Sequence, residues 1–555
     1  MLAEETGARD RVRPHETEET RMNENDRPWV LIGDERRLTA DIAARAARAA
    51  RGFEQLGVTA GDVVAIVLRN DFPMLEATLG AGMAGAYVVP VNWHNTADEA
   101  RYVLENSGAK VLVIHADLLA ALGDIAPAGV HLIVVRTPPR LVEAYPAARG
   151  REAVPAGMTE WEAWLDVLEP KTPPFAVAPG SMIYTSGTTG RPKGVRRNPP
   201  TPEQAESSMA VMCQVGGLRP YVGRMEDVVL MVPGPAYHSS PNGWLFALLK
   251  MGANICLEPK FDARRMLERI ERIERIERIE RIERIERERV THVLAVPTMF
   301  IRLLALDASV KARHDLSSVE HVMHVGAPCP DHVKRAMIDW WGPVISEHYG
   351  STEVGAVTWC TAQEWLDHPG TVGRVVDGTE VVVMDAEGRV LPPGQSGEIV
   401  CGRVSYPDFT YHGDDDKRRR SARGRLIATG DVGWFDEDGF LYLSGRASDM
   451  IIFGGTNIYP AEIESELTRL PGVADCAVFG IPDPEYGEQV CAFIQPKPGA
   501  QLDAETVRSG LAAHLASYKL PRHIEFVDEL PREDTGKIFK RKLRDPFWAG
   551  MERKI

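Results

Sequence analysis

The sequence contains few cysteines and none of the spacings that bind zinc. Cysteine accounts for 7 of the 555 residues, the closest pair is Cys476 and Cys491, and no CxxC motif occurs. Zinc ribbons and fingers hold their metal with cysteines only a few residues apart, so such a module is excluded. Scattered thiols of this kind are typical of a reducing compartment.

Long hydrophobic runs are also missing. No apolar segment approaches the ~18 residues that a membrane span requires. The N-terminus is charged, whereas a signal peptide has an apolar centre. We therefore expect a cytoplasmic protein without a transmembrane helix.

Positive charge is in deficit. The 64 lysines and arginines stand against 79 acidic residues, which gives a formal net charge of −15. Nucleic acids are bound through clustered lysine and arginine, so this balance argues against a nucleic-acid partner. A chain of 555 residues is also longer than one hydrophobic core usually supports, which predicts two or more domains.

The chain divides into a polar leader and a long alternating segment. Residues 1–27 lack hydrophobic periodicity, and we expect them to be disordered, or to precede a truer start near Met22. A helical pattern over Leu38–Leu56 is then followed by strand patterns at Val63–Leu68 and Tyr87–Val91. This alternation predicts an α/β fold with buried, mostly parallel strands.

One segment breaks the alternation. Six consecutive Glu-Arg-Ile triplets run from Glu268 to Ile285. Isoleucine at every third residue advances about 300° on an α-helix, so the isoleucines circle the axis instead of forming one buried face. Glu-to-Arg pairs at i,i+4 favour an extended, charged and exposed helix over residues 268–287. We interpret it as a tandem expansion of one triplet; a coiled-coil partner site is the alternative, although a supercoil needs a period of about 3.5.

The stretch from Tyr184 to Val195 carries the strongest functional signal. It contains three glycines, four Ser or Thr hydroxyls and two cations. Glycine lets backbone N–H groups turn toward an anion, and Lys193 adds charge, so the pattern indicates a phosphate-binding loop, with a polar surface turn as the alternative. It is not a Walker loop, because Pro192 occupies the position that would require glycine. The predicted phosphate-binding residues are Thr185, Ser186, Gly187, Thr188, Thr189, Gly190 and Lys193.

This run resembles the phosphate loop of the adenylate-forming enzymes, which include acyl-CoA synthetases, peptide-synthetase adenylation domains and luciferases. Further motifs follow in the family's order and cover nearly the whole chain. The resemblance implies a large N-terminal domain of several subdomains over residues 28–448. It also implies a small, mobile α/β C-terminal domain over residues 449–555, with a hinge at Asp449.

The motif Tyr349-Gly-Ser-Thr-Glu353 is the second strong signal. By resemblance, Tyr349 stacks on adenine with Gly350 beside it, Thr352 donates to a phosphate, and Glu353 binds Mg²⁺. Mg²⁺ prefers carboxylate oxygens and needs only one or two protein ligands when phosphate and water complete its shell. The resemblance therefore implies ATP and Mg²⁺ at this motif.

Two further motifs resemble the adenosine-binding parts of the family. Asp431, in Thr-Gly-Asp-Val-Gly, would accept hydrogen bonds from the ribose hydroxyls, and Arg446 would contact ribose and phosphate. Gly326 and Ala327 are small, so a flat adenine ring could approach their backbone. The plain alternative at these two residues is a strand end followed by a turn at Pro328.

The acyl pocket is assigned by resemblance to segments around His238 and His324. His238 is either a pocket residue or a structural histidine, and no aspartate follows it to pair with an amino-acid substrate. The expected lining is apolar and roomy, which favours a long-chain fatty acid or a bulky alicyclic or steroid-type acid. The predicted pocket residues are His238, Trp244, His324 and Val325.

The C-terminal motifs imply the second half of a reaction. Lys537 resembles the lysine that enters the active site during adenylation, and Gly454 and Gly455 resemble the passage for the pantetheine arm of CoA. Ser448 departs from the family, where lysine is common. Residues 540–542 are expected to form a solvated basic face.

Together these motifs imply an AMP-forming acid–thiol ligase whose catalytic residues are Lys537, Lys193, Thr188 and Glu353. The acid would become an acyl-adenylate and then a CoA thioester. A carrier protein in place of CoA is the first alternative, and a non-catalytic nucleotide-binding protein is the second. A homodimer is compatible with this prediction.

Overall fold

The structure is a computed structural model that describes residues 28–185, 191–272, 289–403, 406–532 and 538–550. The predicted leader, most of the triplet segment, residues 186–190 and Lys537 lie outside these ranges. Among the described residues, no helix is both long and apolar enough to cross a membrane.

Strands of the N-terminal half come first. They are β1 Trp29–Ile32, β2 Glu35–Leu38, β3 Val63–Val67, β4 Tyr87–Pro90, β5 Ala109–His115, β6 His131–Val135, β7 Thr159–Glu160, β8 Ile183–Thr185, β9 Lys193–Arg197, β10 Val229–Val232, β11 Asn254–Leu257, β12 His292–Ala295, β13 His321–His324 and β14 Ile345–Ser351. The remaining strands are β15 Gly355–Cys360, β16 Thr371–Val375, β17 Thr379–Met384, β18 Gly397–Arg403, β19 Phe409–Tyr411, β20 Ala422–Arg423, β21 Leu426–Phe435, β22 Leu441–Arg446, β23 Ile451–Phe453, β24 Thr456–Ile458, β25 Val473–Asp483, β26 Gly487–Pro496 and β27 His523–Phe526.

Helices alternate with these strands. They are α1 Thr39–Gln55, α2 Phe72–Met83, α3 Ala97–Ser107, α4 Ala116–Leu122, α5 Pro139–Ala144, α6 Trp161–Asp166, α7 Pro202–Val215, α8 Ser239–Met251, α9 Ala263–Arg272, α10 Pro297–Leu304, α11 Ala308–Lys311, α12 Asp331–Trp341, α13 Ala362–Asp367, α14 Asp415–Ser421, α15 Pro460–Arg469, α16 Ala504–Ala512 and α17 Lys540–Arg544. Several begin with a capping box, as at α7, where Thr201 and Gln204 bond each other's backbone N–H.

The largest sheet has a parallel and an antiparallel part. Strands β1, β11, β10, β12, β13 and β14 are neighbours in that order and run parallel. From β14 through β15, β16, β22, β21, β18 and β17 each strand pairs antiparallel with the next. The predicted α/β class is confirmed, and the sequence pattern did not anticipate the antiparallel extension.

A separate five-stranded sheet, in the order β4-β3-β5-β6-β7, is parallel throughout. Asn70, which follows β3, joins this sheet to the largest one. Its amide donates to the Gly234 and Glu258 carbonyls at 3.0 and 2.8 Å and accepts from the Ala236 N–H at 2.9 Å. One buried side chain thus fixes the loop that leads from β10 to His238.

The C-terminal part forms its own sheet, in which β24, β23, β26 and β25 are neighbours and β27 pairs with β26. Helices α15 and α16 cover one face through Ile463, Leu467, Val507 and Leu511, which are fully buried. This small α/β unit agrees with the predicted fold class.

The start of the triplet segment lies in the core. In α9, Ile270 is fully buried, and Arg269 bonds the Glu258 carboxylate at 3.0 Å. Glu271 lies 2.7 Å from His314. Two residues of the first triplet, Arg269 and Ile270, are therefore buried in the fold, whereas Glu268 is exposed as expected; residues 273–288, to which most of the predicted helix belongs, lie outside the described residues.

Candidate active site

Strands β8 and β9 flank the predicted phosphate loop. They pair antiparallel, with Thr185 opposite Lys193, so both ends of the glycine-rich segment start from one rigid hairpin. The Lys193 ammonium lies 3.3 Å from the Asp414 carboxylate. Ser186, Gly187, Thr188, Thr189 and Gly190 fall outside the described residues, and their predicted contacts stay predictions.

Glu353 lies in the turn between β14 and β15 and is held from two directions. The Tyr411 hydroxyl donates to its Oε1 at 3.0 Å. Arg197 donates to the carbonyl of Glu353 at 3.1 Å and also to the carbonyl of Thr352. Because Arg197 ends β9, and Tyr411 belongs to β19, which pairs with β9, the hairpin beside the predicted phosphate loop and the turn that contains Glu353 form one unit.

A second cation, Lys417, lies beside this carboxylate. Its ammonium is 4.1 Å from the centre of the Tyr411 ring. Burial lowers the pKa of Lys417, while the nearby Glu353 and Asp414 carboxylates act in the opposite direction. Sequence reasoning did not assign Arg197, Tyr411 or Lys417 to the site.

The predicted adenosine residues come together on β14, β21 and β22. The Tyr349 hydroxyl donates to Asp431 Oδ2 at 2.7 Å, and the Arg446 guanidinium lies 3.4 Å from Asp431 Oδ1. Burial, followed by the Asp431 charge, raises the pKa of Tyr349 well above its ordinary value, so the phenol stays protonated as a donor. Both carboxylate oxygens of Asp431 thus have a neighbouring donor, and ribose binding by this group stays a prediction.

Two glycines shape the entrance to this site. A Cβ on Gly350 would lie 2.1 Å from the Gly355 carbonyl oxygen, so only glycine allows β14 and β15 to approach there. Gly326 follows β13 with φ +87°, is exposed, and would meet only Val296 if it carried a Cβ. Next to it, Ala327 is half-buried, which leaves the small surface that was predicted for a flat ring.

Two of the four predicted pocket residues, Trp244 and Val325, lie in one hydrophobic cluster. Met323 and Val325 are buried in the same hydrophobic cluster as Trp244 from α8. His238 precedes α8, and its ring centre lies 4.2 Å from that of Tyr237. This cluster is hydrophobic, and its use as an acyl pocket stays a prediction.

His324 is a correction. Along β13 the side chains alternate, so His324 faces away from Met323 and Val325 and packs against Phe300 at 5.4 Å between ring centres. It is fully buried, 3.5 Å from the Glu347 carboxylate that also binds Lys334 at 2.7 Å. Burial, with Lys334 nearby, places the pKa of His324 well below its ordinary value. Its place is behind the sheet and not in the acyl pocket.

The predicted hinge and CoA residues occupy consecutive turns. Asp449 ends a short 3₁₀ turn after β22, and Gly454 and Gly455 form the turn between β23 and β24 with φ +54° and +86°. Lys540 differs from the expected solvated face, because its ammonium bonds the Glu464 carboxylate at 2.7 Å. Burial opposes its charge, but Glu464 and Asp449 outweigh burial and raise the pKa of Lys540. Lys537 lies outside the described residues.

With this geometry in place, comparison with known proteins decides the family. Residues 18–405 match the AMP-binding enzyme family, and residues 462–537 match the AMP-binding enzyme C-terminal domain. The chain belongs to the AMP-binding enzymes. The enzyme class predicted from the motifs, an AMP-forming acid–thiol ligase, is confirmed.

This chain aligns with similar curated proteins over nearly the whole length of both. A fatty acid–[acyl-carrier-protein] ligase of Streptomyces coeruleorubidus is 31% identical, with 96% of both chains covered. A feruloyl-CoA synthase of an Amycolatopsis species is 32% identical over 92% of this chain and 93% of the relative. A ligase of Rhodococcus jostii, named for a methyl-dioxo-octahydroindenyl propanoyl group and CoA, is 31% identical over 93% of this chain and 95% of the relative.

Solved structures share the fold. The anthranilate CoA ligase in complex with anthranoyl-AMP has a TM-score of 0.77 at 25% identity, with 93% of both chains covered. The amide bond synthetase of Marinactinospora thermotolerans has a TM-score of 0.76 at 26% identity over 93% of this chain and 96% of that chain. These agreements extend over both the N-terminal and the C-terminal parts.

Proposed function

We propose that this enzyme activates an apolar carboxylic acid, either a long-chain fatty acid or a bulky alicyclic or steroid-type acid, with ATP and transfers the acyl group to CoA. The proposal rests on the contacts that link the β8–β9 hairpin to the turn around Glu353. One hairpin, β8–β9, borders the phosphate loop, presents Lys193, and through Arg197 holds the turn that contains Glu353. Tyr349, Asp431 and Arg446 supply the adenosine side of the same site.

In the first half-reaction, the acid carboxylate would attack the α-phosphorus of ATP and pyrophosphate would leave. Two anions must approach, so the enzyme's main tasks are orientation and charge neutralisation. Lys193 and Lys417 supply positive charge at the phosphates, and Thr352 supplies a hydroxyl donor. Mg²⁺ fits the site, because Glu353 offers a carboxylate oriented by Tyr411; once bound, the ion would neutralise phosphate charge.

For the second half-reaction, we propose the domain rotation that the motifs imply. Lys537 would bridge the acid and the α-phosphate during adenylation, and rotation at Asp449 would then withdraw it. The turn at Gly454 and Gly455 would approach the site, and the CoA thiolate would attack the acyl carbon as AMP leaves. No side chain need form a covalent bond in this sequence.

The nature of the acid is supported by the pocket wall and by the relatives. Trp244, Met323 and Val325 belong to one buried hydrophobic cluster, and the Trp244 ring lies 6.5 Å from the ring of His348, which precedes Tyr349. Relatives at about the same identity are named for ferulic acid and for a fused-ring propanoic acid. The apolar cluster favours a bulky ring acid over a short acid such as acetate, and these two relatives agree with it, whereas a third relative of 30% identity is named for sulfoacetate.

Transfer to a carrier protein is the second candidate, since the relative from Streptomyces coeruleorubidus is named for that acceptor. One experiment distinguishes the two. Purified enzyme, ATP, Mg²⁺ and a mixed acid panel are incubated with CoA, with a phosphopantetheinylated carrier protein, or with neither, and products are identified by mass spectrometry. Acyl-CoA is the expected product. Acyl-AMP that accumulates with CoA, and is consumed only when carrier protein is added, would establish the second candidate.

A further inference from the structure

His348 has an unusual position for a polar residue. It precedes Tyr349 in β14, and because side chains alternate along a strand it points to the face opposite the Tyr349 hydroxyl. That face belongs to the acyl pocket, since the His348 ring lies 6.5 Å from the Trp244 ring. His348 is therefore a wall residue of the proposed pocket.

Neither ring nitrogen of His348 has a hydrogen-bond partner among the described residues, although both are shielded from solvent. The backbone of Tyr349 lies near the ring, but its geometry does not complete a hydrogen bond. Burial lowers the pKa of His348 to about 4, so at neutral pH the ring is uncharged and offers one donor and one acceptor.

Trp359 adds a second unpaired group at the same place. It lies directly opposite His348 in the antiparallel pairing of β14 and β15, so both side chains stand on the same face. Its indole N–H also has no partner within the described part of the chain. Paired side chains of neighbouring strands have Cβ atoms about 5 Å apart. The pocket wall thus holds two donors and one acceptor in one small patch.

Buried polar groups in native proteins are almost always paired, and an unpaired one destabilises the protein. Here two such residues lie directly opposite each other on β14 and β15, next to Trp244. We propose that His348 and Trp359 recognise oxygen on the acyl group, so that the substrate is a ring acid bearing a keto or hydroxyl group. A keto oxygen can accept from the indole or the imidazole, and a hydroxyl can also donate to the imidazole acceptor.

This inference rests on the proposed function and narrows its substrate. An unbranched fatty chain would leave all three polar atoms unpaired in the complex, and binding it would bring no compensation. A site built to bond an oxygen discriminates strongly against the analogue that lacks it, whereas a purely apolar wall discriminates weakly. Oxygenated and deoxygenated acids with the same carbon skeleton should therefore differ in affinity.

The test measures binding and turnover separately. Binding to the full-length enzyme with AMP is measured by calorimetry for 3-(4-oxocyclohexyl)propanoate, 3-(4-hydroxycyclohexyl)propanoate, 3-cyclohexylpropanoate and decanoate. We expect an oxygenated acid to bind about 10-fold or more tightly than 3-cyclohexylpropanoate. Equal affinities, tighter binding of decanoate, or no binding of an oxygenated acid would overturn the inference. Preferential binding without any acyl-AMP or thioester would overturn the proposed function alone.

Variants assign the preference to these residues. His348→Phe and Trp359→Phe should each reduce the ratio of affinities between oxygenated and deoxygenated acids toward one, whereas His348→Asn should retain part of it. His348→Phe should also raise the melting temperature, because it removes buried groups that lack partners. A preference that persists in both phenylalanine variants would contradict the assignment, whatever happens to the melting temperature.

Discussion

The Tyr411 hydroxyl donates a hydrogen bond to Glu353 Oε1 at 3.0 Å, although 58 positions separate the two residues in the chain. The bond fixes Oε1 of Glu353, and the second carboxylate oxygen, Oε2, takes no part in it. Burial, followed by the Glu353 charge, raises the pKa of Tyr411 above its ordinary value, so the hydroxyl remains a donor at neutral pH. Tyr411 thereby orients the group to which we assign Mg²⁺.

Replacing Tyr411 should therefore lower the affinity of the enzyme for Mg²⁺. Groups that orient a metal ligand typically change metal affinity by about 10–100-fold when removed. We expect Tyr411→Phe to raise the Mg²⁺ concentration for half-maximal ATP–pyrophosphate exchange by about 10-fold or more. Tyr442→Phe is the matched control, because the Tyr442 hydroxyl bonds Asp436 instead. An unchanged Mg²⁺ dependence in Tyr411→Phe, measured at saturating ATP, would refute the assigned role.

The Arg197 side chain should hold the same turn by bonding its backbone carbonyls. Its guanidinium donates to the carbonyls of Thr352, Glu353 and Pro407, and a lysine ammonium cannot reproduce this planar fork. Arg197→Lys should lower kcat for adenylation about 10-fold and leave the KM for the acid less affected. The adjacent Arg196→Lys is the control, since Arg196 bonds Gly61 and lies over Tyr87. Equal effects in the two variants would mean that the loss is only structural.

There is a physical reason why the sequence predicted some residues of the candidate site and missed others. Tyr349, Glu353 and Asp431 could be predicted because short motifs carry them. Arg197 and Tyr411 could not, since their roles depend on contacts across 155 and 58 positions that no local pattern encodes.

The same holds at the level of the fold. Buried strands such as β3 and β5 were evident as runs of branched residues, and parallel pairing followed from the helices α2 and α3 that alternate with the strands of this sheet. The antiparallel extension from β15 onward carries no comparable signal. His324 shows an avoidable error, because strand alternation alone would have placed Met323 and Val325 on one face and His324 on the other.

Buried neutral histidines should make the protein sensitive to mild acid. Burial lowers the pKa of His292 to about 3 and those of His321 and His348 to about 4, with the neighbouring His321 also acting on His292. Their folded-state pKa values thus lie below the unfolded value of about 6.5. The stability is fully present above pH 6.5 and falls as the pH drops toward 4, because only the unfolded chain takes up protons in that window.

Each such histidine contributes a slope of about 1.4 kcal/mol per pH unit at most. Urea unfolding at pH 7.0, 6.0 and 5.0 should show a falling free energy of unfolding, at pH values where few carboxylates titrate. His292→Gln should reduce the slope of the unfolding free energy against pH by the contribution of about one proton. A free energy that is constant between pH 7.0 and 5.0 would show that these histidines are already charged, or hydrated, in the folded protein.

Shortening the triplet segment tests the idea of a tandem expansion. Deletion of residues 271–285 places Glu286 and Arg287 directly after Ile270, so the Glu-Arg sequence that follows the buried isoleucine is preserved. Glu286 can then replace Glu271 as the partner of His314. In the helix predicted from the sequence, 15 residues would correspond to about four turns plus 60°, so their deletion would nearly keep the phase. We expect acyl-adenylate formation within about twofold of the full-length enzyme. Deletion of 271–284 is the control, since it brings Ile285 opposite His314 and should lower the melting temperature. A large loss of activity in the longer deletion would show that the triplets have become part of the fold or of an interface.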